Sequence, residues 1–261
     1  MARNHLVIGD PHAKPGVSNE RFTWLGKFIV EKKPEIIVCM GDMADMESLS
    51  SYDRGKKDFE GRRYQNDIAA VQDALAKIQQ PMDDYNAVRK RNKEKQYKPK
   101  KYMIVGNHEE RIDRAIQLHP ELEGTFSIED LDYERYGWHV QPYRCALELD
   151  GIYYCHYFPT GVSGEPISGV NVAQGLLGKN MVSCVVGHNH IFDYASRSSP
   201  GGRRMHALSV GCYFEHTDKF ATAIEHLWWR GLVYLKGVCD GDFDVNTYRY
   251  KSLKERYGNV A

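Results

Sequence analysis

The chain is expected to fold as an α/β domain, and three features of its sequence lead there. Apolar runs of strand length, HLVIGD (5–10), EIIVCMGD (35–42) and YMIVGNHE (102–109), alternate in the first half with segments of helical periodicity. Each of these runs stops at a glycine followed by an acid or an amide. The second half is richer in short β-type runs set apart by turn residues, which argues for an added, mostly antiparallel sheet.

Taken in order, the run at 5–10 opens the fold. Ser18 then caps a helix that carries Phe22, Leu25 and Ile29 on one face, and Pro34 closes it. The run at 35–42 is the second strand. Ile68, Val71, Leu75 and Ile78 mark a helix over 66–80. The run at 102–109 is the third strand, and the helix after it bears Ile112, Ile116 and Leu118. Further strands are expected at WHVQPY (138–143), CALELD (145–150), GIYYCHY (151–157), VSCVVGH (182–188), RMHALSVG (204–211), TAIEHLWW (222–229) and LVYLKG (232–237). CALELD and GIYYCHY read as a hairpin about Asp150-Gly151, and VNVAQGLLGK (170–179) as a lone helix. No repeat or linker divides the chain, so one domain over 1–261 is expected, with a helical and basic insertion at about 53–101.

Lys plus Arg equals Asp plus Glu at 35 each, so no overall field recruits a polyanion or a membrane. No run is long enough to cross a bilayer. The six cysteines are scattered and form no C-x-x-C pair, and the opening MARNHLVIGDPH carries no apolar signal segment. Both points set the expectation of a cytoplasmic protein with reduced thiols.

Five polar clusters sit where apolar runs end: Gly9-Asp10-Pro11-His12, Gly41-Asp42-Met43-Ala44-Asp45, Gly106-Asn107-His108-Glu109, Cys155-His156 and Gly187-His188-Asn189-His190. The carboxyl ends of parallel strands are where α/β sheets hold ligands. Asp10, Asn107 or Asp42 taken singly reads as a turn residue. Together with the imidazoles they offer mixed O and N donors, which suit Mn²⁺, Fe²⁺ or Zn²⁺ and suit Ca²⁺ poorly.

In order and spacing these blocks resemble the signature of the calcineurin-like metallophosphoesterases, D-x-H, G-D-x-x-D, G-N-H-[DE], an isolated His and G-H-x-H. The last block resembles the branch of nucleases, cyclic phosphodiesterases and small phosphatases, and size and layout are similar to the phosphoesterases carried by bacteriophages. The resemblance implies two mixed β-sheets packed as a sandwich and flanked by helices (αββα). It also implies two divalent ions, manganese first, with iron, zinc, nickel or cobalt as alternatives. Asp10, His12 and His190 would hold one ion, Asn107, His156 and His188 the other, and Asp42 would bridge them. Such an ion pair activates a bridging water for in-line attack on a phosphoester. His108 would stabilise the phosphoryl group or protonate the leaving oxygen, and Asp45 would orient its imidazole.

The substrate is read less directly. RKRNKEKQYKPKK (89–101) holds eight Lys or Arg against one Glu, and with Tyr85 and Tyr97 it is a candidate contact for DNA or RNA beside the site. RGKKDFEGRRY (54–64) adds charge. The leading expectation is therefore a phosphodiesterase or nuclease. A phosphomonoesterase or cyclic phosphodiesterase for small nucleotides or phosphoproteins comes second, and a non-catalytic scaffold third. His5, His119, His139, His206, His216 and His226 match no block and are read as structural or surface residues. Glu109 and Glu110 are read as helix-start acids without a catalytic role, and Trp228-Trp229 as part of a hairpin packed on the second sheet.

Overall fold

The computed structural model describes residues 2–216 and 223–258. The strands are β1 (Arg3–Ile8), β2 (Ile36–Cys39), β3 (Lys100–Ile104), β4 (Trp138–Gln141), β5 (Leu147–Leu149), β6 (Ile152–Cys155), β7 (Ser183–Val186), β8 (Phe192–Ser198), β9 (Arg204–Val210), β10 (Gly231–Cys239) and β11 (Asp242–Arg249). The helices are α1 (Glu20–Lys32), α2 (Tyr64–Arg91), α3 (Glu110–Leu118), α4 (Val172–Asn180) and α5 (Tyr250–Tyr257).

Two mixed sheets result, with orders β11-β10-β1-β2-β3-β4 and β5-β6-β7-β9-β8. Side-chain alternation explains how they stack. Val7, Ile36 and Val38 point between the sheets to meet Ile152, Val185 and Leu208, whereas Leu6, Ile8 and Ile37 point outward to α1 and α2. Strands β1 and β2 are thus buried on both faces, which is why they read as unbroken apolar runs. Helix α4 covers the outer face of the second sheet through Val172, Leu176 and Leu177. The layers are helix, sheet, sheet, helix, as the αββα expectation has it.

Several expectations need correction. The second sheet is not mostly antiparallel: β6, β7 and β9 run parallel, and only the outer pairs β5–β6 and β8–β9 are antiparallel. Strands β4, β10 and β11 join the first sheet instead. Residue 222 of the run TAIEHLWW lies outside the described residues, and the rest forms a 3-10 turn at Glu225–Leu227 rather than a strand. Helix α2 runs well past 80 and through Pro81, flanked by Gln79–Asp83 and Gln80–Asp84 side-chain bonds of 2.7 and 2.8 Å. The hairpin at Asp150-Gly151 is present, with φ of 52° and 81° at its tip. The helix expected from Ser18 is present too; Asn19 occupies the cap position, and Ser18 Oγ accepts from the Glu20 amide at 3.3 Å. Among the described residues no helix is long and apolar enough to cross a membrane.

Candidate metal centre

All five polar clusters emerge at one edge of the sandwich, because β1, β2 and β3 of the first sheet and β6 and β7 of the second end there. The two halves are stitched by His156, whose Nδ1 donates to the Met40 carbonyl at 2.8 Å. That bond leaves its Nε2 lone pair facing inward, 2.9 Å from Asn107 Oδ1 and 3.5 Å from Asp42 Oδ2. His188 Nδ1 lies 2.8 Å from the same Asn107 oxygen and 3.3 Å from His156 Nε2. On the other side of Asp42, His12 Nε2 lies 3.2 Å from His190 Nε2. Asp10 is fully buried and neither of its oxygens accepts a hydrogen bond, although Oδ2 is 3.2 Å from His190 Nε2.

These observations fit divalent ions. A buried carboxylate without donors is costly, and at most one proton can sit between two facing imidazole nitrogens. Asp10, His12 and His190 form one group with ligand atoms within 4.8 Å of one another, and Asp42, His156 and His188 form a second. A third group, His12, Asp42 and His108, overlaps both. The glycines of the motifs have a steric reason: a Cβ on Gly106 would stand 2.2 Å from Asp42 Oδ1, and one on Gly187 would stand 2.3 Å from Asp10 Oδ1. Asp10, His12, Asp42, His188 and His190 all adopt left-handed backbone, with φ between 22° and 65°. Such strain in non-glycine residues concentrates at functional sites.

Charge in the centre is set by burial against neighbours. Burial favours protonation of Asp42, yet His156, His108 and His12 around it hold the carboxyl below its usual range. Asp45 is held well below its own by bonds to His108 and His12 against the same burial penalty. His188, buried and beside His156, is lowered to about 4 and so stays a neutral donor. For His108 burial is outweighed by Asp42 and Asp45, which raise it to about 9. Its Nδ1 lies 2.9 Å from Asp45 Oδ1 and 2.7 Å from the Asp45 carbonyl.

Three residues were missed or misread. Glu109 does stand at the start of α3, but it is fully buried and accepts from the amides of Asp42 (3.0 Å), Ala44 (2.9 Å) and Gly106 (2.9 Å) and from the Tyr133 hydroxyl (3.1 Å). Its place in the G-N-H-E block was the available signal. Arg111 donates to the Asp45 carbonyl at 2.9 Å and sets Nη2 3.2 Å from His108 Nε2, as a residue three positions along a helix should. Trp228 is no remote hairpin residue: its ring lies edge-on to His190 at 4.8 Å.

The basic segment 89–101 does not flank the centre. Its last two residues open β3, and that strand with the residues after it carries the chain away before Asn107 is reached. Tyr97 donates to the Pro34 carbonyl at 2.7 Å and Lys33 stands over Tyr85 at 4.8 Å, which pins the segment to the start of β2 at the opposite edge. The 54–64 segment does reach the site's surroundings, where Arg62 pairs with Asp53 at 2.8 Å and donates to the Glu47 carbonyl at 3.1 Å.

Residues 4–243 match the model of the calcineurin-like phosphoesterases, and the chain belongs to that family. It is a metal-dependent phosphoester hydrolase of a class that works with two metal ions. No curated protein sequence matches it. Among solved structures it is similar to TT1561 of Thermus thermophilus, at 9% identity and a TM-score of 0.39 over 96% of this chain and 100% of that one. It is also similar to YfcE, a phosphoesterase from E. coli, at 10% identity and a TM-score of 0.37 over 95% and 99%.

Proposed function

We propose that this chain hydrolyses phosphodiester bonds in nucleic acid or its fragments with two divalent ions, manganese being the first candidate. Asp10, His12 and His190 hold one ion, Asn107, His156 and His188 the other, and Asp42 serves both. The observation that carries this reading is the buried, unbonded Asp10 carboxylate beside two facing pairs of imidazole nitrogens. When bound, such a pair of ions lowers the pKa of water and offsets charge on the phosphoryl oxygens. Asp45 fixes the His108 ring by its Nδ1, which leaves Nε2 toward the centre to protonate the leaving oxygen. Arg111 adds positive charge at the same place.

Support for a polynucleotide comes from the arginines near the centre, Arg111 against His108 and Arg230 over Trp228 at 5.5 Å, and not from 89–101. We read the chain as one domain in which the 53–101 segment is an insertion. All six cysteines are unpaired and four are buried, which supports a cytoplasmic setting.

The test is metal analysis of the manganese-loaded protein, followed by hydrolysis of bis-p-nitrophenyl phosphate, p-nitrophenyl phosphate, and single- and double-stranded oligonucleotides. About two ions per chain and a preference for diesters are expected. A preference for the monoester would favour the phosphomonoesterase reading, and a chain that takes up no ions would refute the centre.

A further inference from the structure

Near the centre, one exposed arginine is held by two phenols. Arg144 is exposed in the loop between β4 and β5 and holds a left-handed φ of 58°, a strained conformation for an L side chain. Its Nε donates to Tyr157 Oη at 2.7 Å, Nη2 donates to the same oxygen, and the Tyr143 and Tyr157 hydroxyls lie 2.8 Å apart. The guanidinium also stands over both rings, 5.1 Å from Tyr143 and 5.3 Å from Tyr157. Among the described residues no carboxylate pairs with it, whereas Arg62, Arg89, Arg135, Arg230 and Arg256 each face one. Two phenols therefore aim this guanidinium, and Glu110, the carboxylate that feels its charge, stands outside ion-pair distance of it.

Tyr157 links Arg144 to the centre. It follows His156 in the chain, and its ring lies 5.0 Å from that of His188. The guanidinium is thus at most about 10 Å from the His188 ring. A reach of that size takes in a neighbouring phosphate a step or two along a strand. A guanidinium with N–H groups to spare is suited to a phosphate, which it can take through two parallel bonds.

We propose that Arg144, held in place by Tyr157 and Tyr143, grips a second phosphate of the substrate, one beyond the bond that is cut. The inference rests on the phosphodiesterase reading and deepens it, because an ester with an adjacent phosphate is then selected over one with a single phosphate.

The test uses the full metal-loaded chain and two probes, thymidine 3′,5′-bisphosphate and thymidine 5′-monophosphate. Each is measured by calorimetric binding and by inhibition of bis-p-nitrophenyl phosphate hydrolysis. The native protein should bind the bisphosphate about tenfold more tightly, as one charge-assisted contact implies. Arg144→Gln should bring the two probes to near equality. Arg144→Lys should keep part of the preference, and Tyr157→Phe should reduce it because the phenol no longer aims the guanidinium. Equal binding of both probes by the native protein, or a preference that survives in Arg144→Gln, overturns the proposal. If bis-p-nitrophenyl phosphate is not hydrolysed, the phosphodiesterase reading fails by itself, and the calorimetric comparison still decides the role of Arg144.

Discussion

His108 stands at the point where ligand and acid–base roles are hardest to separate. Its Nε2 is 3.9 Å from Asp42 Oδ2, and it shares a possible metal-holding group with His12 and Asp42. Against a ligand role, Nδ1 is taken by Asp45 and Nε2 lies beside the Arg111 guanidinium, whose positive charge would repel an ion at that nitrogen. His108→Ala is therefore expected to lower kcat by about 10²–10⁴-fold, the span of a lost general acid, while metal content stays at two per chain. Asp45→Asn should lower kcat by about 10–100-fold, since it misorients a ring without removing it. Metal analysis beside steady-state kinetics on bis-p-nitrophenyl phosphate separates the roles, and loss of an ion in His108→Ala would make His108 a ligand.

Between residues and the whole fold stand the strand-end loops, and Glu109 binds two of them together. Its carboxylate takes amides from the loop after β2 and from the turn after β3, so the Asp42 backbone cannot shift without breaking those bonds. In Glu109→Gln one oxygen becomes an NH₂ that meets N–H donors, and a loss of about 2–5 kcal/mol in unfolding free energy is expected from urea titration. A variant as stable as the native chain would show that the loops hold themselves. The loop tips were legible because Gly-Asp, Gly-Asn-His and Gly-His-x-His close unbroken apolar runs, and those runs are unbroken because both faces of β2 and β7 are buried. Edge strands β8 and β11 escaped notice since each has an exposed face, with Tyr194 and Ser196 on β8 and Asp244 and Asn246 on β11. Left-handed backbone at Asp10, His12 and Asp42 had no glycine to announce it. Most instructive is 89–101, which lies few residues before Asn107 yet at the far edge, because a strand advances the chain about 3.3 Å per residue. Replacing Lys93, Lys95 and Lys98 by Gln should accordingly leave the salt dependence of oligonucleotide cleavage unchanged. Three lost phosphate contacts would flatten the log–log slope by about 2, and that result would return the segment to the substrate path.

At the scale of the molecule, the centre is where the two sheets are joined by charge rather than by apolar packing. Asp10, His12, Asp42 and Asn107 come from the first sheet, and His156, His188 and His190 from the second. Without ions, this edge gathers buried polar groups that lack hydrogen-bond partners, the Asp10 side chain above all, on backbone that is strained at five of the seven positions. Ions that bind the folded state alone therefore stabilise it by mass action, by about 4 kcal/mol at a thousandfold excess over Kd. For a chain of this length each kcal/mol moves Tm by about 2–4 °C, so stripping the ions should lower Tm on the order of 10 °C. Manganese should restore it and magnesium should restore less, because imidazole donors favour the former. In Asp42→Asn, which loses a carboxylate oxygen from the group with His156 and His188 and from the group with His12 and His108, most of the manganese response should vanish. Calorimetric melting of native and variant chains, with chelator and with each metal, measures this. A native Tm indifferent to manganese would mean that the two sheets meet at this edge without ions between them.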